Sequence, residues 1–415
     1  MSWPRPIVRG ATTSLCRRTI LRKAFLAPWH PLVTQTWLYA LADAQRHTQV
    51  AVHSTTLVIN HHHTHVTPTS ENLPDFTQRV HEDVSKGLNV LLLDQGFDRP
   101  RQIWDQRSTH QMRLLDAASQ ASDVLYGVLN CVAAGLVASP SEIPGWTFDF
   151  GLWKQGALVV ERPPIYFGKK RPRQLALHFE PPPELYGAFG GDIDRLIHHM
   201  RSLQRTAIGA IRRERRGKPV LGATRLRSIH AYNEPASPNE LDGYTPSFKV
   251  GAAGLTGRQV RARAHAERRR FRSAHACARH DHRHGKPTTF PYGTYKMRVE
   301  HNAPVGDPAH DALYLAPGKT LADVKTDLAS KKVELDLSRS VVSAVRSAFK
   351  DEAEEVVRAE GIELTGSVAD DEPIRRAPCT TKRGSGFEPG PAPRRLVTLR
   401  DLPTIRRPTG TDPPT

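Results

Sequence analysis

The amino-acid sequence predicts an α+β fold: a ferredoxin-like α/β sandwich around a central antiparallel sheet, continued by a mainly helical, basic carboxy-terminal extension. Three observations lead there. Apolar periodicity alternates between strand and helix spacing as far as Val137. Between Val50 and Val66 the run VAVHSTTLVINHHHTHV is rich in β-branched residues, as in one or two paired strands. Beyond a proline-rich joint, arginine rises and helical spacing takes over.

The elements follow in order. Thr12 to Phe25 reads as a strand. Trp37 to Arg46 has helical spacing, with Trp37, Leu38, Leu41 and Ala44 on one side. After the Val50–Val66 strands, Ser70 to Leu93 reads as a helix. Ser70 or Asn72 can cap it, Pro74 sits in its first turn, and Phe76, Val80, Val84 and Leu88 form its stripe. Gln102 to Leu115 contains a strand. Ala117 to Val137 is a helix that stops near Gly135, with Pro140 beyond. Arg162-Pro163-Pro164, Pro172 and Pro181-Pro182-Pro183 mark a joint. Ile193 to Arg216 is an amphipathic helix, Val260 to Arg283 is strongly basic, and Phe290 to Val299 alternates like a strand. Ser338 to Glu360 is a further helix, capped by Ser338 and ended by Gly361. The expected organisation is a first domain over 1–155, a Pro-rich basic linker over 156–190, an accessory domain over 191–365 that is a candidate for DNA binding, and a disordered tail over 366–415.

Composition narrows the function classes. At 415 residues the chain is long for one ordinary domain. Its 59 Lys and Arg against 42 Asp and Glu leave a net charge of +17. That favours a polyanionic partner, above all nucleic acid, although genomic bias toward arginine gives the same excess. Cys16, Cys131, Cys277 and Cys379 form no C-x-x-C pair, so no disulfide framework is indicated and a reducing cytosol fits. No apolar run of about 18 residues occurs, so no membrane span is expected. The acid-free, arginine-bearing stretch before Asp43 has the composition of a transit peptide, but Thr12 to Phe25 already reads as a strand of the first domain. A mature amino terminus and a cytoplasmic, nucleoid-associated location are expected.

Residues 58–68 read VINHHHTHVTP. A purification tag would lie at a chain end, whereas this run continues a β-branched stretch. On a strand, side chains alternate, so His61, His63 and His65 share one face while His62 and Thr64 point the other way. Two imidazoles at i and i+2 converge on one point, which suits a divalent metal; a polar edge strand has the same pattern. In the later helix, Leu125, Val128, Leu129 and Val132 form the core stripe. Tyr126 and Asn130, four apart, stack beside it. Alone, that pair reads as a half-buried aromatic and a surface amide.

Together, Asn60-His61-His62-His63-Thr64-His65-Val66-Thr67-Pro68 and Tyr126-Gly127-Val128-Leu129-Asn130-Cys131-Val132-Ala133-Ala134-Gly135-Leu136-Val137 resemble the two motifs of single-tyrosine HUH transposases. The branch is the one related to REP-associated tyrosine transposases. Trp104 to Asp116 fits the strand between the motifs, and the resemblance covers roughly Thr12 to Phe150. There are departures. His62 and His65 stand where apolar residues are usual, and Cys131 replaces a proline.

The resemblance implies an HUH endonuclease fold and a transposase-like endonuclease that cuts and rejoins single-stranded or hairpin DNA. Tyr126 would be the nucleophile, and His61, His63 and Asn130 would hold one divalent ion. Mg²⁺ or Mn²⁺ is implied, and imidazole ligands make Mn²⁺ the easier fit. The product would be a 5′-phosphotyrosine and a free 3′-hydroxyl. Relatives that exchange the tyrosine helix within a homodimer make a dimer one arrangement to test. Arg17, Arg18, Arg22 and Lys23, and Lys169, Lys170, Arg171 and Arg173 in the joint, are candidates for tracking phosphates or simply solvated charges. The rival reading is a non-catalytic DNA-binding protein that works through its basic helices. A zinc site over His275-Ala276-Cys277-Ala278-Arg279-His280-Asp281-His282-Arg283-His284 is a second alternative, with the right ligand types but no matching finger spacing.

Overall fold

A computed structural model of the chain describes residues 4–234 and 246–307. The expected helix Ser338–Glu360 and the tail over 366–415 lie outside the described residues. The elements are β1 (Thr13–Arg18), α1 (Pro31–Thr48), β2 (Ala51–Leu57), β3 (His61–Thr67), α2 (Leu73–Asp94), β4 (His110–Leu114), α3 (Ala117–Ala133), α4 (Leu152–Gln155), β5 (Ala157–Glu161), β6 (Gln174–His178), α5 (Pro183–Ala188), α6 (Ile193–Glu214), α7 (Ala223–Arg227), β7 (Phe248–Lys249), α8 (Gly254–Arg283) and α9 (Tyr295–His301).

A five-stranded sheet in the order β2-β3-β1-β4-β7 is antiparallel except where β7 joins β4 in parallel. The fold is α+β, as expected. The β2–β3 hairpin forms where the β-branched runs lie, and Thr55 and Thr64 across it share a hydroxyl hydrogen bond of 2.9 Å. Register fixes the faces. β1 lies beside β3 with Arg18 opposite His61, Arg17 opposite His62, Cys16 opposite His63 and Ser14 opposite His65. Directly opposed residues share a face, so Arg18, Cys16 and Ser14 stand with the odd-numbered histidines.

α1 and α2 cover the other face. Trp37 donates to Thr55 at 3.1 Å and lies 4.5 Å, ring to ring, from His62. Phe76, Val80, Val84 and Leu88 of α2 are fully buried, as their spacing predicts. Asn72 occupies the N-cap position of α2, but its amide goes to the Thr48 carbonyl instead of capping the helix. α3 covers the first face, packed on the strands and against α5 and α6. Its amino terminus carries a capping box, Asp116 with Ser119. The Asp116 carboxylate also accepts the Gly251 and Ala252 N–H groups at 3.0 Å, which ties the later chain to this helix. Gly135 follows with φ of 69°, the left-handed stop expected there.

Several expectations need correction. The strand over Thr12–Phe25 ends at Arg18 and turns into a 3-10 segment, Ile20–Arg22, where Leu21 and Arg22 have positive φ. Phe290 to Val299 is not a strand. Phe290 makes one bridge to Val305, Gly293 turns the chain with φ of 84°, and α9 begins at Tyr295. Residues 156–190 do not run free: β5 and β6 pair as a hairpin against α1, and α5 packs on α3. The prolines there mark turns and helix starts (Pro183 is the first residue of α5). β7 has no counterpart in the sequence reading.

Candidate functional site

β3 carries the histidines on alternating faces, as its period-2 pattern requires. The His61 and His63 rings lie 5.0 Å apart, nearly perpendicular. The Tyr126 ring of the same chain meets the His63 ring edge-on at 5.2 Å. Asn130, one turn later on α3, is buried. With His61, Asn60, Arg22 and Glu234 it lines a cavity of about 350 Å³. The structure thus gathers His61, His63, Tyr126 and Asn130 at one place on the sheet.

α3 comes this close because position 127 is glycine. A Cβ there would stand 3.2 Å from His63 Cβ and 3.4 Å from His65 Cε1.

Hydrogen bonding fixes the chemical state of the imidazoles. Asn60 donates its amide to the Arg22 carbonyl at 3.2 Å, which turns its oxygen toward His61 Nδ1 at 2.8 Å. His61 Nδ1 must therefore carry the proton, and Nε2 keeps its lone pair. His63 Nε2 is buried with no hydrogen-bond partner among the described residues. Burial, then the nearby His63, Arg18 and Arg22 charges, hold His61 well below the usual histidine range. Burial lowers His63 to about 3, against the opposing pull of Asp123. Both rings are neutral at pH 7, the form that offers electron pairs to a metal.

The third histidine of this face has another job. His65 Nε2 meets Asp123 Oδ2 at 3.0 Å, and its Nδ1 meets Ser54 Oγ at 2.7 Å. Lys249 of β7 donates to Asp123 Oδ1 at 2.9 Å. Burial alone would raise the Asp123 carboxyl, but Lys249 and His65 beside it hold it well below the ordinary carboxylate range. This network clamps α3 three residues before Tyr126. Nothing in the local pattern singles out Asp123 or Lys249.

His62 lies on the opposite face, buried. Its Nε2 meets His81 Nε2 of α2 at 3.1 Å and its Nδ1 meets Thr64 Oγ1 at 3.0 Å. The polar ring in an apolar position is thus satisfied by a second histidine. Cys131 is buried within α3, its thiol pushed up to about 11 by burial.

The basic candidates do not form one surface. Arg18 stands beside His61 on the Tyr126 face. Arg22 lines the cavity. Lys23 pairs with Glu234 at 3.3 Å and lies over the Tyr232 ring. Arg17 points to the α2 side, its guanidinium 5.6 Å from the Trp104 ring. Lys169, Lys170 and Arg173 are exposed around the β5–β6 turn. Arg171, expected to track phosphates, is instead occupied internally: it makes a two-pronged contact with Asp83, with one bond at 2.9 Å, and reaches Asp43 at 3.5 Å.

At the end of α8, the His280 ring and that of the following His284 approach to 4.3 Å. Among the described residues no group of three His, Cys, Asp or Glu side chains is arranged to hold a metal ion. The zinc alternative therefore lacks a third ligand. At the Tyr126 site the donors are two imidazoles and an amide. No helix among the described residues is long and apolar enough to cross a membrane.

No family model matches the chain, and no curated protein matches it significantly. A solved structure described as a REP-associated tyrosine transposase bound to a REP hairpin is similar to it at a TM-score of 0.30 and 15% identity, over 43% of this chain and 98% of that one. A likeness at that level carries no argument about residues or chemistry.

Proposed function

We propose that this chain is an HUH-type, transposase-like endonuclease that cleaves and rejoins single-stranded DNA, with Tyr126 as nucleophile. One observation carries the reading. An imidazole with a buried, unpartnered Nε2, that of His63, lies between a second neutral imidazole at 5.0 Å and a tyrosine ring at 5.2 Å. These are the residues that the two sequence motifs pair.

The donors fit a divalent ion of the first transition row. His61 Nε2 and His63 Nε2 supply two neutral nitrogens, and Asn130 supplies a hard amide oxygen. When bound, such an ion would draw charge from a non-bridging oxygen of the scissile phosphate. The chain's own residues do the rest. Asn60 holds the His61 ring in the tautomer with a free Nε2. Gly127 and the His65–Asp123–Lys249 network set α3 against β3, which fixes the Tyr126 ring beside His63. Arg18 adds positive charge on the same face.

The Tyr126 oxygen forms a bond to phosphorus as the bond from phosphorus to the 3′-oxygen breaks. The phenol gives up its proton, and the departing 3′-oxygen gains one. The phosphoester is conserved on Tyr126, so a second 3′-hydroxyl can reverse the step and join strands.

The test uses the full chain, a labelled single-stranded oligonucleotide from its native flanking DNA, and Mn²⁺. An adduct that survives SDS is expected, lost in Tyr126→Phe. Calorimetry with Mn²⁺ alone should show one site, lost in His63→Ala. Tight DNA binding with no adduct under any metal would replace this reading with that of a non-catalytic DNA-binding protein.

A further inference from the structure

A second cavity, larger than the one beside His61, takes no part in the chemistry above. A groove of about 830 Å³ runs between α2 and the β1–β4 part of the sheet, on the face turned away from Tyr126. Arg5, Arg17 and Lys86 line it, against one carboxylate, Glu82. Glu82 is already engaged, because Lys86 one helical turn on is bonded to it. Two arginines are left over.

Arg17 is held in place beside Asp105 but forms no close ion pair with it. It leans over Trp104, and one nitrogen reaches the Asp105 carbonyl at 3.5 Å, the limit of a hydrogen bond. Its Nε is buried with no partner. The Asp105 carboxylate is taken by Arg107, whose N–H donates to it at 2.8 Å. Arg5 is half-buried, and neither it nor Arg17 has an ion-pair partner among the described residues. Burial lowers the pKa of both, in Arg17 against the opposing pull of Asp105. A partly desolvated guanidinium with open donors and no close ion pair is costly unless an anion completes it. The groove wall supplies further uncharged donors, including Gln78, Gln111 and Thr109.

We propose that this groove is a phosphate-binding site, with Arg5 and Arg17 as its ligands, that seats a backbone phosphate of single-stranded nucleic acid away from the tyrosine. Arg17 and Arg18 are neighbours on β1, so the end of one strand sends a cation to each face of the sheet. Arg18 serves the Tyr126 face and Arg17 the groove. The inference does not depend on tyrosine chemistry and is tested in a protein that lacks it.

The experiment uses full-length Tyr126→Phe protein and fluorescence anisotropy with a labelled single-stranded 20-mer at a series of salt concentrations. Each lost phosphate contact on a single strand lowers the slope of log affinity against log salt by about 0.7. Arg5→Gln with Arg17→Gln removes both ligands of that phosphate and should therefore lower it by about 0.7, and the paired lysine substitutions should restore most of it. Arg99→Gln with Arg101→Gln, which removes the same charge from exposed positions, is the control and should change it far less. Arg5 lies outside every helix and strand, so Arg5→Gln alone, with a smaller drop in the same direction, keeps the test open if the double variant does not fold. A parallel titration with adenosine monophosphate separates the sources: binding lost in the variants while the oligonucleotide slope holds would assign the groove to a free nucleotide. No difference from the control, together with no mononucleotide binding, overturns the proposal. An adduct failure in the Tyr126 test leaves this result untouched.

Discussion

Replacing Gly127 by alanine separates stability from chemistry at the site. Alanine is favoured over glycine inside a helix by about 1 kcal/mol. Against this, the new Cβ would lie 3.2 Å from His63 Cβ, an atom fixed by the β3 backbone, and 3.4 Å from the His65 ring. Ordinary carbon contacts sit at about 3.5–4.0 Å, so α3 must withdraw from β3 by a few tenths of an ångström. Overpacking of this kind costs about 1–3 kcal/mol. The two effects nearly cancel or leave a net loss of about 1–2 kcal/mol, a modest shift in the urea midpoint. On the proposed mechanism adduct formation responds differently, because Tyr126 and His63 are carried by the two elements pushed apart. A misplacement of about 1 Å costs on the order of 100-fold, so a few tenths should slow adduct formation several-fold. The assay pairs urea unfolding with the rate of SDS-stable adduct formation on one oligonucleotide. A variant stabilised by the full helix term, with an unchanged rate, would refute the close approach of α3 to β3.

Two further outcomes follow from buried charge. Burial depresses His53 to about 4 and His63 to about 3, while both recover a value of about 6.5 when unfolded. The unfolded chain therefore binds protons that the folded chain refuses. Stability is complete above about pH 6.5 and falls as pH drops, by up to about 2.7 kcal/mol per histidine at pH 4.5. Urea midpoints measured in chelator from pH 7.5 to 4.5 check this; a flat profile would count against buried neutral rings. Arg171→Gln should cost about 1–3 kcal/mol, since Asp83 and Asp43, both buried, lose their shared guanidinium. It should leave the salt dependence of DNA binding unchanged, and a lowered slope would mean that Arg171 reaches phosphate after all.

What could be read from the sequence is whatever repeats at short range. The alternation of His61, His62 and His63 placed those rings on their faces correctly, because a strand's period is fixed by backbone geometry. The stripe Leu125, Val128, Leu129 and Val132 located the buried side of α3, and Gly135 its end, for the equivalent reason in a helix. What stayed hidden depends on chain segments far apart. Lys249 reaches Asp123 from 126 positions away. Arg171 was indistinguishable from its neighbours until Asp83 stood opposite. His65 shared the His61 face by the same alternation and stood in a usually apolar position, and only Asp123 and Ser54 make it a strut. FPYGTYKMRV alternates like a strand, but Pro291 and the left-handed Gly293 turn the chain where a strand would have to continue.

The shared carboxylate of Asp116 has a bearing on how this protein can be subdivided. The carboxylate that caps the Tyr126 helix is held by backbone N–H groups that arrive more than 130 positions later. A fragment cut at the end of the motif-bearing region would keep His61, His63, Tyr126 and Asn130 and still lose that brace on the helix. Whatever else the arginine-rich remainder does, the motif-bearing half cannot be treated as a detachable module.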